Sequence, residues 1–203
     1  MADCAAIILA AGHASRFRTS GGVEASKVVA QFQGMPLVRH VALAALASKA
    51  RPVIVVTGHV RAAVEAALAG LAVSCVHNPL FATGMASSLK AGVAAVPHDA
   101  AGAVILLGDM PLVAAGAIDR LCDTLSANPA AVAAVPVFGG LRGNPAVVAR
   151  ALFPAIAALS GDQGARQLLA KAGEAVIELP MQDAGIARDI DTQADLAALR
   201  AGG

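Results

Sequence analysis

The chemistry in this sequence concentrates in a few cations and carboxylates set among glycines. Leu9-Ala10-Ala11-Gly12-His13-Ala14-Ser15-Arg16-Phe17 runs from an apolar segment into a polar loop, and Lys27 follows at its far end. A glycine directly after a strand lets backbone N–H groups approach and cradle phosphate oxygens. Arginine then grips phosphate as a planar fork and lysine as a point charge. Downstream, Leu106-Leu107-Gly108-Asp109-Met110-Pro111 puts a carboxylate at the end of a second apolar run. Magnesium is commonly bound by one or two carboxylates together with substrate phosphates, so Asp109 is a candidate ligand. Near the C-terminus, Asp189 and Asp191 flank Ile190, and in an extended chain both would face one side. One of the two could complete the metal site, and Arg16, Lys27 and Asp109 form the candidate catalytic set. The plainer alternatives are a solvated loop with surface cations, an aspartate capping the next helix at Asp109, and a helix start at Asp191.

Two further segments carry polar residues at suggestive places. In Asn78-Pro79-Leu80-Phe81-Ala82-Thr83-Gly84-Met85-Ala86-Ser87-Ser88-Leu89 a helix begins near Met85, and its N-terminus would attract an anion or the polar edge of a base. Ser87 and Ser88 serve equally well as ordinary first-turn residues. Arg142 and Asn144, in Leu141-Arg142-Gly143-Asn144-Pro145, and Arg166, after Gly161-Asp162-Gln163-Gly164-Ala165, are candidate grips for a second phosphorylated substrate.

Other phosphate and catalytic motifs do not fit. Gly-x-Gly-x-x-Gly is missing after the first apolar run, which argues against a dinucleotide dehydrogenase. The stretch from Gly21 to Lys27 has Ser26 where a Walker A loop needs glycine and Val28 where it needs a hydroxyl. No Ser-x-Gly elbow points to a hydrolase triad. The five histidines have no metal-ligand spacing, and His40, inside a helical pattern, reads as structural.

Short apolar runs alternate with segments of helical period, and this alternation must position the candidate residues. Ala5 to Leu9, Val53 to Val56 and Val104 to Leu107 read as strands buried on both faces. Val73 to Val76, Ala131 to Val135 and Val176 to Leu179 are shorter candidates. Helical patterns cover Leu37 to Ala47, Arg61 to Leu68, Met85 to Ala95, Ala115 to Leu125, Gly164 to Ala172 and Gln193 to Leu199. Thr192 is placed to cap the last of these, with Asp195 three residues on. The expected fold is α/β, a mainly parallel sheet with helices on both faces. Ligands of such sheets bind beyond the carboxyl ends of the strands. That edge gathers Gly12, Ser15 and Arg16 after one strand, Thr57 and Gly58 after another, and Gly108 and Asp109 after a third.

Bulk properties narrow the partners. The chain has 203 residues, enough for one domain over 1–203 with its own core. Hydrophobic residues make up 57%, much of it alanine, and the mean hydropathy of +0.69 overstates membrane character. No apolar run reaches membrane-spanning length, and Asp3 stands where a signal peptide would be basic. A net charge of +1 and 2% aromatic residues give no reason to expect a nucleic-acid partner. Cys4, Cys75 and Cys122 are widely spaced and read as buried thiols, which points to a reducing, cytoplasmic compartment.

Taken together these segments resemble the molybdenum-cofactor nucleotidyltransferase family, over nearly the whole chain from Ala6 to Leu199. Leu-Ala-Ala-Gly-x-x-Ser-Arg-Phe with a downstream lysine is shared widely among nucleotidyltransferases. The Gly-Met-x-x-Ser-Leu, Gly-Asp-Met-Pro, Arg-Gly-Asn-Pro and Asp-Ile-Asp-Thr segments narrow the likeness. The resemblance implies a Rossmann-like three-layer fold of the nucleotide-diphospho-sugar transferase type. It implies Mg²⁺-dependent transfer of a nucleoside monophosphate to a phosphorylated acceptor, molybdopterin cofactor, with release of pyrophosphate. Nucleotide contacts would come from Ala10, Ala11, Gly12, Ser15, Arg16, Lys27, Thr57, Gly58, Asn78, Ser87 and Ser88. Asp109 and Asp191 would serve the metal, and Arg142, Asn144 and Arg166 the acceptor. Ala11 stands where the guanylyltransferase branch more often has glycine, which favours CTP over GTP. A molybdoenzyme or its chaperone is the implied protein partner. Arg18 occupies a position usually held by glycine, the segment from Arg16 to Lys27 is longer than is common, and Asn144 replaces a frequent histidine. Methylerythritol phosphate, a sugar phosphate and a non-catalytic binding role therefore remain as alternatives.

Overall fold

The computed structural model describes residues 4–12, 17, 19–20 and 26–201. Its centre is β1 (Cys4–Ala10), whose residues are almost all buried. On one side β1 pairs in parallel with β4 (Val53–Thr57), which pairs in parallel with the edge strand β5 (Ser74–His77). On the other side it pairs in parallel with β6 (Gly102–Leu107). Beyond β6 come β9 (Ala146–Ala149), β7 (Ala133–Phe138) and β10 (Val176–Pro180), with β8 (Leu141–Arg142) on β7. β9 runs antiparallel to both β6 and β7, while β10 is parallel to β7. The fold is thus Rossmann-like α/β around a mixed, mainly parallel sheet.

Alternation along the central strands builds the layers. Ala6, Ile8 and Ala10 point to one face, where they meet Val38, Val41 and Ala45 of α1 (Leu37–Ala47) and Ile118 and Leu121 of α4 (Ala115–Ala127). Val64 of α2 (Arg61–Ala67) joins this face. Ala5 and Ile7 point the other way, toward Leu89 of α3 (Met85–Ala94), Phe153 and Ile156 of α5 (Phe153–Ala157) and Leu169 of α6 (Ala165–Ala172). Successive strand residues face opposite sides, so a continuous apolar run is what a sheet covered twice requires.

A third, smaller cluster ties the two chain ends together. Phe17, Ala30, Phe32 and Leu37 pack with Ile190, Leu196 and Leu199, the last two on α7 (Gln193–Ala201). Phe32 lies on β2 (Gln31–Phe32), which forms a hairpin with β3 (Met35–Pro36). Gln33 and Gly34 both have positive φ (46° and 78°), as a two-residue hairpin turn of matching twist demands. His40 is structural, its Nε2 lying 2.8 Å from the Phe32 carbonyl oxygen. Thr192 and Asp195 cap α7 reciprocally: Asp195 N lies 3.2 Å from Thr192 Oγ1, and Thr192 N donates to Asp195 Oδ2 at 2.7 Å.

One expectation is corrected here. Cys4 and Cys122 are buried, but Cys75 is exposed, because β5 is an edge strand with a neighbour on one side only. Among the described residues, no helix is long and apolar enough to cross a membrane.

Candidate active site

The site is assembled where β1 and β6 end. Gly12 follows β1, and Asp109 follows β6 after a single glycine. Asp109 does not cap a helix, since α4 begins only at Ala115. Its backbone carbonyl instead accepts a hydrogen bond from Ile190 N at 3.2 Å, drawing the C-terminal segment onto the strand end. Ile190 is buried in the third cluster, and Asp189 and Asp191 on either side of it both line the cavity above. The same cluster holds Ala30, which fixes the short 3₁₀ turn Lys27–Val29 just before it.

The result is a cation between carboxylates. Lys27 Nζ lies 2.5 Å from Asp109 Oδ2 and 2.6 Å from Asp191 Oδ1. Burial disfavours the Lys27 ammonium, but the two carboxylates outweigh it and raise its pKa above the ordinary value. Burial pushes the Asp109 carboxyl up, Lys27 pulls it down without cancelling that effect, and Asp189 adds repulsion. Two carboxylates thus hold Lys27 charged, while burial is the main reason that the Asp109 carboxyl is pushed up. Asp109 Oδ1 is buried and has no hydrogen-bond partner among the described residues.

Above this group opens a cavity of about 490 Å³, within the usual range for small-molecule sites. Ala11, Gly12, Phe17, Ser26 and Lys27 form one wall, Phe81, Gly84, Met85 and Ser88 another, and Asp109, Asp189 and Asp191 the floor, with Asp162 also contributing. Among the described residues, a Cβ added at Gly12 would meet no atom within 4 Å, so their packing does not explain the glycine. The space it leaves belongs to the cavity.

Other residues expected around a nucleotide stand behind this surface. Thr57 is buried at the end of β4, its hydroxyl directed at the Val76 carbonyl. Gly58 is a packing glycine: a Cβ there would sit 2.7 Å from both Ala11 O and Phe81 Cβ. Asn78 is buried and donates to Ser87 Oγ at 2.8 Å and Ser88 Oγ at 3.1 Å, while its side-chain Oδ1 accepts from Leu80 N. It braces the start of α3. Ala10 is buried in the core, and Ser15 and Arg16 lie outside the described residues.

The residues expected to grip the second substrate are not gathered into the described lining of this cavity. Arg142 pairs with Glu178 at 2.7 Å, Asn144 N is bonded to Ile186 O, and Arg166 is exposed in the first turn of α6. The loop before α6 does reach the site. Gly161 O accepts from Ala86 N at 3.1 Å, and Gly84, with φ 111°, lies so close that a Cβ would be 2.3 Å from Gly161. This contact sets Asp162 at the cavity, a placement that sequence spacing alone does not signal.

A family model, the MobA-like NTP transferase domain, matches residues 6–176. The chain belongs to this family. It is 37% identical over 118 residues to the bifunctional protein GlmU of Aromatoleum aromaticum, across 57% of this chain and 24% of that protein. The chain therefore spans about a quarter of the length of that curated relative. Its fold superposes on the crystal structure of Rv0371c from Mycobacterium tuberculosis H37Rv with a TM-score of 0.84, at 26% identity over 98% of both chains. A manganese complex of Rv0371c gives a TM-score of 0.78 at 25% identity, covering 99% of this chain and 100% of that one.

The residues gathered at this site suit a divalent cation. Among those described, no group of three or more His, Cys, Asp and Glu side chains gathers to hold a metal unaided. Asp109 and Asp191 instead offer two carboxylates beside an open cavity, the arrangement that substrate phosphates complete. The unpartnered Asp109 Oδ1 and the excess of negative charge supply the need for a cation.

Proposed function

We propose that this chain is a divalent-metal-dependent nucleotidyltransferase, acting through one domain over residues 1–203. In our reading it moves CMP from CTP to a phosphorylated acceptor of the molybdopterin type and releases pyrophosphate. The observation that carries the mechanism is the Asp109–Lys27–Asp191 group on the floor of the cavity. The manganese bound by Rv0371c supports a divalent ion in the same role, with Mg²⁺ as the physiological choice.

An acceptor phosphate oxygen attacks the α-phosphorus in line, forming one P–O bond as the bond to the leaving pyrophosphate breaks. Such transfers need positioning and charge neutralisation rather than a side-chain nucleophile. A divalent ion on Asp109 and Asp191 would withdraw charge from the phosphate oxygens. Lys27 supplies an ammonium to the departing phosphates, and Arg16 and Ser15 complete the grip from the loop. Gly12 keeps open the approach to backbone N–H groups. Ala11 favours CTP over GTP. On the acceptor side Arg166 is the best placed of the three expected residues, since it follows the loop that presents Asp162; Arg142 would first have to leave Glu178.

The test is pyrophosphate release with each of the four ribonucleoside triphosphates, with and without Mg²⁺ or Mn²⁺. Molybdopterin cofactor, methylerythritol phosphate and hexose 1-phosphates serve as acceptors. Metal-dependent release with CTP and the pterin, abolished in Asp109→Ala, is the expected result. Activity with another pair keeps the chemistry and replaces the substrates. Activity retained in Asp109→Ala would remove the metal assignment.

A further inference from the structure

Among the described residues, two buried side-chain polar atoms lack a hydrogen-bond partner: Asp109 Oδ1 and Ser26 Oγ. Both residues line the same cavity. The first is accounted for by a cation. The second has no role in anything derived so far.

Ser26 is fully buried and immediately precedes Lys27. It stands before the 3₁₀ turn Lys27–Val29, where a serine hydroxyl ordinarily caps the turn. Here only its carbonyl takes part, accepting from Val29 N at 3.2 Å, and its side chain makes no capping bond. Nor does the hydroxyl donate to a carboxylate, although Asp109 and Asp191 meet the adjacent lysine. A buried hydroxyl left unpaired is destabilising, and alanine would fill the position without that penalty. A hydroxyl has one proton to give and lone pairs to receive. Beside an ammonium that serves phosphate, the complementary group is a phosphate oxygen.

We propose that the Ser26 hydroxyl is a ligand-binding group, donating to a phosphate oxygen of the metal–nucleoside triphosphate complex next to Lys27. This inference rests on the nucleotidyltransferase reading of the cavity and adds to it a contact outside the glycine loop and the acidic floor. Ser26 is unpartnered in the free protein because its partner arrives with the substrate.

The experiment compares wild type, Ser26→Ala and Ser26→Cys, the last keeping the volume with a weak donor. Calorimetry measures affinity for Mn²⁺–CTP, Mn²⁺–GTP and Mn²⁺–tripolyphosphate, and thermal denaturation follows the ligand-free proteins. Both variants are expected to bind all three probes about 10- to 150-fold more weakly, the range of one hydrogen bond to a charged acceptor. Their ligand-free melting temperatures should equal or exceed the wild type's, because an unpaired hydroxyl has gone. Unchanged affinity in variants that remain folded overturns the role of Ser26 and leaves the nucleotide reading standing. A loss confined to one base overturns the phosphate assignment, as does a lower melting temperature with affinity intact. A wild type that binds none of the probes overturns the nucleotide reading and this inference with it.

Discussion

Lys27 Nζ stands 2.5 Å from Asp109 Oδ2, a contact between the end of the first loop and the end of β6. With Asp191 at 2.6 Å, the ammonium lies between two carboxylates that face the cavity. The lysine thus compensates, in the free protein, charge that a metal ion would otherwise meet. Lys27→Met should therefore strengthen Mn²⁺ binding to the nucleotide-free protein by roughly tenfold, while slowing nucleotidyl transfer by about 10- to 100-fold, the scale of a charge-assisted hydrogen bond. Calorimetry and pyrophosphate release measure the two effects separately. Weaker Mn²⁺ binding in the variant would show that the lysine organises the carboxylates instead of competing for them.

Gly84 joins a φ of 111° to an approach that leaves no room for a Cβ against Gly161. Gly84→Ala should cost about 2 kcal/mol or more in chemical denaturation, combining backbone strain with a steric clash. It should also loosen the Gly161 contact to Ala86. Equal stability in the variant would mean that the loop before α6 shifts freely.

Asn78 serves two hydroxyls and one backbone N–H from a buried position. Asn78→Ala should destabilise by about 1–3 kcal/mol through the groups left unpaired. Asn78→Asp should be no better, since a carboxylate cannot donate to Ser87 and Ser88. A stable aspartate variant with full nucleotide affinity would contradict the bracing role.

The α7 cap predicts a pH dependence. The Thr192 hydroxyl, followed by the Thr192 and Asp191 backbone N–H groups, holds the Asp195 carboxyl below its ordinary pKa of 3.8. A depressed carboxyl stabilises the folded state above its unfolded value and loses that effect as pH falls through the folded one. Asp195→Asn should therefore lower the melting temperature by roughly 2–4 °C at pH 7, the effect of a typical cap in a chain of this size. The gap should close as the pH drops below 3.8. A gap that persists unchanged in acid would assign Asp195 a packing role instead.

The parallel strands and most helices were legible because their apolar periods are long. α1 occupies Leu37–Ala47 as its pattern predicts, and α3 starts at Met85. β9 was not, because four small apolar residues after a proline suit a strand, a turn or a buried coil equally well. The β2–β3 hairpin and α5 were missed for the same brevity. At the site, Asp109 and Lys27 stand out by residue type beside glycine or at the end of a strand. Asp189 and Asp191 face the cavity as their spacing suggests, but what turns them there is the burial of Ile190, a long-range contact. Asn78, Thr57 and Gly58 were legible as important and not as to purpose, since a polar residue behind a wall and one on it look alike in sequence. Ser26 has no local signal beyond its place before Lys27.

The reversed direction of β9 has a consequence for how this architecture can vary. Its first residue, Ala146, pairs with Ile105 near the carboxyl end of β6, so the chain entering β9 arrives at the same rim from which Asp109 departs. A parallel strand in that position would deliver only its exit there and hide its entrance at the opposite rim. The inversion lets the segment from Gly139 to Pro145, which carries the short β8, vary at that rim with the pairing of β9 to β6 and to β7 left intact. Novelty in what meets the donor can then be explored one loop at a time, while the half of the sheet that carries β1, β4 and β5 stays as it is.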